Sequence, residues 1–458
     1  MAATIFARLR RLAVGGSPLR RQLVGAAVGS LVLSLSAKAL ALLSSVLLAR
    51  WLGAAGYGIY ATALAVMTVL GVPTMLGLPT LVVRLFASYR MRQQWGLMRG
   101  LLRRVHLLVL LLSALIAIAG AVVVWALGDR IAPAYAHALL WAMALLPLSA
   151  LGALRSAALS GLHHVVLGQL PENLVMPGLF VLLLAAWSVA GHAFTPESAM
   201  ALRFAAVAVA FFVGGWLLLP RLPGELQHVE PRYDMVNWAR AAGPLLFLGG
   251  MSIINTQTDV LMLAAMKGAE SAGIYRAAAR GAELVAFSLV VVNMAIQPSI
   301  SRLYAAGEMQ SLQRVVTAAA RGALALALPA ALVMSLFGRT ILGAVFGNEY
   351  ERGALCLAIL CSAQVINAGA GSVGNILNMT GHEKDAAGGM AIGALTNIVL
   401  NVVLIPRFGI AGAALATGIG LGAWNLVLVV AVRLRTGVNS TAFGWSKSHF
   451  DDRAEHPD

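Results

Sequence analysis

Asp259 stands seven residues after Ser252 and four after Asn255, inside a stretch otherwise apolar enough to cross a bilayer. That spacing puts a hydroxyl, an amide and a carboxylate on one face of a helix. Such a set suits the carriage of a proton or a monovalent cation, so Asp259 and Asn255 are candidates for ion coupling. On the next apolar stretch Arg276, Arg280 and Glu283 lie at i, i+4 and i+7, again on one face. Arg280 and Glu283 join Asp259 as candidates for a role in substrate or ion coupling. Counted from the turn between the two stretches, Asp259 lies level with Arg280 and Glu283. A buried Asp259–Arg280 pair is therefore expected, serving either coupling or simply the hairpin's cohesion.

Two further cations fall where charge is costly. Lys38 lies twelve residues before Arg50, or about 18 Å along a helix, close to the bilayer midplane. Ser30, Ser34, Ala41 and Ser45 share its face. An ionisable group at that depth costs several kcal/mol unless it faces a cavity or a partner. Lys38 therefore either lines a hydrated cleft or meets a neighbour's carbonyl or carboxylate. Arg155 follows Pro147 by two turns and either lines the same cleft or snorkels to the headgroups.

The remaining polar groups read more simply. Asn375, Asn378, Asn397 and Asn401 suit hydrogen bonding between helices. Gly418, Gly420 and Gly422 sit inside an apolar helix with no preceding strand, so they serve packing and not phosphate binding. Cys356 and Cys361 are five apart, on different faces, which argues against a disulfide or a metal site. No nucleophile–base constellation is visible, and no enzyme activity is expected.

The elements that position these residues follow from composition. The chain of 458 residues is 60% apolar and 11% charged, with a mean hydropathy of +0.84. A soluble domain of that size carries far more charge. The spans must be helices, because lipid offers no partner to an open backbone. They are expected near 23–48, 58–82, 105–127, 137–161, 167–190, 200–219, 244–266, 276–297, 316–338, 353–379, 386–405 and 409–432. This is an all-α polytopic membrane protein of about twelve transmembrane helices.

The net charge of +15 is not a nucleic-acid signal. The cations collect in alternate connections, from Arg8, Arg10 and Arg11 to Lys447 and Arg453, which orients the chain with both termini in the cytoplasm. The basic start resembles a signal peptide, but the following span is too long and carries Lys38, so an uncleaved first helix is expected.

The sequence also repeats. Leu48-Ala49-Arg50-Trp51-Leu52-Gly53-Ala54-Ala55-Gly56-Tyr57-Gly58-Ile59-Tyr60 aligns without gaps on Leu263 through Tyr275, and Arg84-Leu85-Phe86-Ala87 matches Arg302-Leu303-Tyr304-Ala305 after a small shift. Two parallel six-helix repeats around a central cleft are expected. The boundaries are a first bundle over 1–219, with a basic cytoplasmic segment at 1–22, a linker at 220–243, a second bundle over 244–432 and a tail at 433–458.

Three further segments carry a family resemblance. They are Phe346-Gly347-Asn348-Glu349-Tyr350, Asn378-Met379-Thr380-Gly381-His382-Glu383-Lys384, and Pro406-Arg407-Phe408-Gly409-Ile410-Ala411-Gly412-Ala413-Ala414 after the asparagine-bearing helix at 397. With the motif at 48–60, their order resembles that of Wzx-type polysaccharide repeat-unit flippases. These form a branch of the multidrug/oligosaccharidyl-lipid/polysaccharide (MOP) exporter superfamily.

The resemblance implies translocation of a polyprenyl-diphosphate-linked oligosaccharide, an O-antigen or exopolysaccharide repeat unit, across a bacterial inner membrane. It implies coupling to H+ or Na+, no other cofactor, and a polysaccharide polymerase and assembly complex as partners beside membrane lipids. The head group is at least doubly anionic, so Lys38, Arg155 and Arg280 are the expected substrate contacts. A multidrug exporter of the same superfamily is the alternative, although it would favour acidic cleft residues. A peptidoglycan-precursor flippase would carry two more helices. A membrane glycosyltransferase would carry a large outer loop, and a purely structural envelope protein would have no use for buried charge.

Overall fold

The computed structural model describes residues 18–444. Most of the basic segment expected at 1–22, and the tail beyond 444 with Lys447 and Arg453, lie outside the described residues. The described chain is helical, with no strand among its residues. It divides into two compact units. One holds the residues up to Trp51 together with Val66–Gly250, the other Leu52–Ala65 and the residues from Met251.

The chain begins with α1 (Pro18–Met75), a long helix interrupted at Gly53. There follow α2 (Leu78–Met91), α3 (Trp95–Leu127) and α4 (Pro133–Gly161). The next span comes in three parts: α5 (Val165–Leu170), a π-helical turn (Pro171–Val175) and α6 (Met176–Val189). Proline at 171 removes a backbone donor, and a π turn accommodates the break. α7 (Pro196–Leu218) starts at Thr195, whose hydroxyl accepts from Ser198 N while Ser198 Oγ accepts from Thr195 N, a capping box. Leu81, Phe86, Met98, Leu101, Leu154 and Leu159 form the core among α2, α3 and α4.

The expected span 58–82 is not continuous. α1 stops at Met75, and Leu76 and Gly77 turn with positive φ before α2 begins. Pro79, near the start of α2, cannot continue the earlier helix. Residues 220–243, expected as a linker, hold a 3-10 turn (Leu219–Arg221), α8 (Glu225–His228) and the start of α9 (Met235–Lys267). They pack on α3: Arg232 N donates to Gly96 O at 2.9 Å, and Arg99 Nη1 to Val229 O at 2.6 Å.

The second unit continues with α10 (Ala269–Ala305), α11 (Met309–Leu336), α12 (Gly338–Phe346), α13 (Ala354–Ala370), α14 (Val373–Met379) and α15 (Glu383–Thr436). The expected span 353–379 is broken at Gly371, whose φ is 81°. α15 merges the two last expected spans, with a break at Gly409. Ile300, Leu312, Val316, Ile376, Leu377, Leu428 and Val432 form a core here. Beyond α15 the chain folds back. Ala442 N donates to Gly369 O at 2.9 Å, and Arg321 Nε donates to Ala442 O at 2.9 Å.

Among the described residues nine helices are long and apolar enough to cross a membrane. Two of them, of 48 and 54 residues, far exceed the roughly 20 residues one crossing needs. α9, which contains the expected span 244–266, is not among the nine. Its polar run Ser252 to Asp259 lowers its hydropathy, and that run is where function is sought.

The internal repeat has a structural counterpart. Gly53 and Gly268 align in it, and both break their helices with the same backbone geometry, φ 66° and ψ 177° against φ 84° and ψ 176°. Only glycine adopts that region without strain. Within the second unit the two copies then meet reciprocally. A side chain at Gly58 would strike the Ala269 carbonyl, and one at Gly273 would strike the Ala54 carbonyl. Small residues let helix backbones approach in this way. Glu349 closes the junction by accepting from Ala54 N at 2.8 Å, and buried Tyr350 sets its ring edge-on to Tyr57. The Phe346–Tyr350 motif is thus a clamp on the repeat junction.

Candidate functional site

Asp259 is buried, with 4% of its surface exposed. An ionised carboxylate in such a place is costly unless every lone pair is engaged. Four donors from two neighbouring helices engage it. Tyr275 Oη of α10 and Thr417 Oγ1 of α15 each donate to Oδ2 at 2.7 Å. Asn397 Nδ2 and Asn401 Nδ2, one turn apart on α15 and before its break, donate to Oδ1 at 3.0 and 2.7 Å. Asn401 Nδ2 also meets Asn397 Oδ1 at 3.1 Å.

The cage is rich in oxygen. Thr417 Oγ1 lies 2.7 Å from Asp259 Oδ2, 3.0 Å from Tyr275 Oη and 3.0 Å from Ala413 O, with one proton to share. Asn401 Oδ1 is buried with no partner. An orphaned buried acceptor is rare in a packed interior. One carboxylate beside two hydroxyls and a helix carbonyl, with two amides that can turn an oxygen toward it, suits a hard cation of low charge.

The expected Asp259–Arg280 pair does not form. Arg280 Nη1 instead pairs with Glu283 Oε2 at 2.7 Å, one turn along α10, and also meets the Tyr57 hydroxyl. The i, i+3 spacing makes the Glu283 contact local, whereas Asp259 faces α15. Arg280 Nε is buried without a partner, and Arg276 lies one turn away on the same helix. Asn255 has no hydrogen-bond partner among the described residues, and the cage does not include it.

In the first unit Lys38 is exposed on α1. Its neighbour on that face, Ser30, donates to Gln169 Oε1 of α5 at 2.6 Å. Arg155 of α4 lies with its guanidinium carbon 3.5 Å from the centre of the Phe211 ring, and Nη1 donates to Phe211 O at 2.6 Å. It lines a cavity of about 360 Å³ together with Ser149, Ser156, Glu172 and Asn173. Glu172 falls on the π-helical turn.

Sequence reasoning misses Tyr275, Thr417, Tyr57 and Glu172. Tyr275 closes the repeated motif opposite Tyr60, which is a usable signal. Glu172 is visible as a carboxylate within an apolar run. Asn397 and Asn401 are expected as bridges between helices; the bridge they make is to Asp259.

The helical arrangement of the described residues has counterparts among solved structures. It matches an inward-facing multidrug resistance MATE family transporter of the MOP superfamily with a TM-score of 0.73 and 12% identity, covering 90% of this chain and 98% of that one. It matches the lipid II flippase MurJ in its inward closed conformation with a TM-score of 0.68 and 15% identity, covering 88% and 87%. The chain therefore shares the fold of these two proteins. The chain belongs to the polysaccharide biosynthesis protein family, whose sequence pattern matches residues 24–304. The MatE pattern matches residues 250–403. Among curated proteins it is similar to the probable low-salt glycan biosynthesis flippase Agl15 of Haloferax volcanii, 29% identical over 170 residues, or 37% of this chain and 36% of that protein. The chain spans about a third of the length of such relatives.

Proposed function

We propose that the protein is a flippase for a polyprenyl-diphosphate-linked oligosaccharide, such as an O-antigen or exopolysaccharide repeat unit, driven by a monovalent cation gradient. Its place in this reading is a bacterial inner membrane, with both termini cytoplasmic and a polymerase and assembly complex as partners. Family membership and the glycan flippase among its relatives support the substrate class. The observation that carries the mechanism is the Asp259 cage, which gathers α9, α10 and both segments of α15 around one carboxylate.

A sodium ion would be held by Asp259, Thr417 Oγ1 and the Ala413 carbonyl, with Asn397 and Asn401 turning their amides to offer oxygen in place of the NH2 groups that face the carboxylate. The orphaned Asn401 Oδ1 is an acceptor that such an ion would satisfy. A proton on Asp259 would serve the same role with fewer ligands. Either way, loading the cage changes how tightly three helices are tied together. A switch of that kind biases an equilibrium between two arrangements. Lys38 and Arg155 in the first unit, and Arg280 in the second, are the proposed anion contacts, and the pairing of Arg280 with Glu283 leaves its Nε still to be satisfied.

Deleting the gene in its host is expected to remove surface glycan and to build up lipid-linked repeat units in the inner leaflet. Wild type is expected to restore export. Lys38→Ala and Arg280→Ala at matched levels are expected to lower it about ten- to a hundredfold each, as for a lost hydrogen bond to a charged group. Normal surface glycan in the deletion strain, without a second flippase, would sink the substrate class. The MatE match over 250–403 would then favour a multidrug exporter.

A further inference from the structure

A second cation cluster lies in the first unit and shares Arg155 with the cavity described above. Arg103 and His106 of α3 and Arg155 of α4 line a slot of about 330 Å³, walled by Leu102, Leu219 and Leu222 among others, with no carboxylate in its lining. His106 Nδ1 donates to Leu102 O at 2.8 Å, which leaves Nε2 as the polar edge of the ring. Arg103 is exposed and has no partner among the described residues. Two guanidinium groups thus meet at a slot whose lining holds no carboxylate.

The surroundings say what would. Beside the slot α7 presents Trp216, 75% exposed, and the turn that follows it Leu219, 71% exposed, while α3 presents Leu111 at 59%. Large apolar groups so exposed on a membrane helix face lipid, and tryptophan favours the headgroup level. From Arg103 to the end of α3 at Leu127 the helix runs about 36 Å, slightly more than the ~30 Å hydrocarbon core. The cations therefore stand at one headgroup layer, while the apolar walls continue inward from it. Basic pockets between spans at that level take anionic lipid headgroups.

We propose that this slot binds the phosphate of an anionic phospholipid, with Arg103 and Arg155 around the phosphate and His106 and the leucine walls flanking it. The site shares Arg155 with the proposed substrate contacts, whereas Arg103, on which its test turns, plays no part in that reading.

The test is native mass spectrometry of the full chain titrated with phosphatidylglycerol or phosphatidylcholine, with inorganic phosphate and polyprenyl diphosphate as competitors. Phosphatidylglycerol is expected to bind tighter than phosphatidylcholine. Arg103→Ala is expected to weaken phosphatidylglycerol about fivefold, from roughly 1 kcal/mol per surface cation, and Arg103→Glu more. Arg103→Lys is expected to retain binding, and phosphatidylcholine should be indifferent to all three. Arg103 is exposed, so unchanged thermal unfolding in phosphatidylcholine is expected to show each variant folded. Equal affinity for the two lipids, or indifference of phosphatidylglycerol to Arg103→Glu, would overturn the proposal. So would inorganic phosphate binding with the same Arg103 dependence, or preferential displacement by polyprenyl diphosphate, which would assign the slot to the substrate's path.

Discussion

Asp259→Asn is expected to abolish ion-driven translocation while leaving a folded, less stable protein. The substitution keeps the shape but exchanges one carboxylate oxygen for an NH2 group among donors from Tyr275, Asn397, Asn401 and Thr417. At least one donor is then left facing another, at a cost of about 1–3 kcal/mol for each buried group left unmatched. Thr417→Val removes a single donor and is expected to cost about 1 kcal/mol. Thermal unfolding in a neutral detergent reads the loss of stability. Sodium added during the same measurement reads the ion, since a ligand that binds only the native state raises its stability by mass action. If the cage holds sodium, wild type gains stability and Asp259→Asn does not. A gain on acidification without a sodium effect would assign a proton. An Asp259→Asn protein that moves glycan normally, with the ion dependence of wild type, would end the coupling role.

The other large effect is expected at the junction of the repeats. Gly58→Leu drives a side chain into the Ala269 backbone, and Gly273→Leu drives one into the Ala54 backbone. Backbone on the receiving side cannot rotate away as a flexible side chain would. Each variant is expected to cost about 3 kcal/mol or more, at the upper end of overpacking effects. The measurement is the yield of monodisperse protein together with its unfolding temperature. A methyl group added at Gly422 would meet nothing within 4 Å, so Gly422→Ala is expected to be neutral and serves as the control. Equal tolerance at positions 58 and 422 would show that the reciprocal contact does not hold the junction.

Much of this is legible in the sequence because bilayers impose a simple code. Apolar run length locates the helices, and the gapless match of 48–60 to 263–275 locates the paired breaks at Gly53 and Gly268. The places where spans are interrupted are harder to read. Gly77 and Gly371 sit in stretches whose hydropathy continues unbroken, so run length alone misses the turns, and only Pro79 beside Gly77 hints at one. Spacing marks Asp259 as a carboxylate in need of partners, but the nearest opposite charge is not the partner it takes. Depth along a helix is available from counting, whereas the direction in which a face looks is not. The face of Asp259 looks toward α15, far away in sequence. Neutral donors satisfy it, and polar amides in an apolar helix do not announce their targets.

The reciprocal packing of Gly58 on Ala269 and Gly273 on Ala54 also bears on how the chain is made. Residues 52–65 reach the membrane early in synthesis, but the surface they pack against belongs to α10, which leaves the ribosome much later. Until then the segment after Gly53 waits in the bilayer with its small-residue face uncovered, open to chaperones or to a wrong partner. A gene cut between the two halves would hand one fragment a helix whose proper neighbour is encoded in the other.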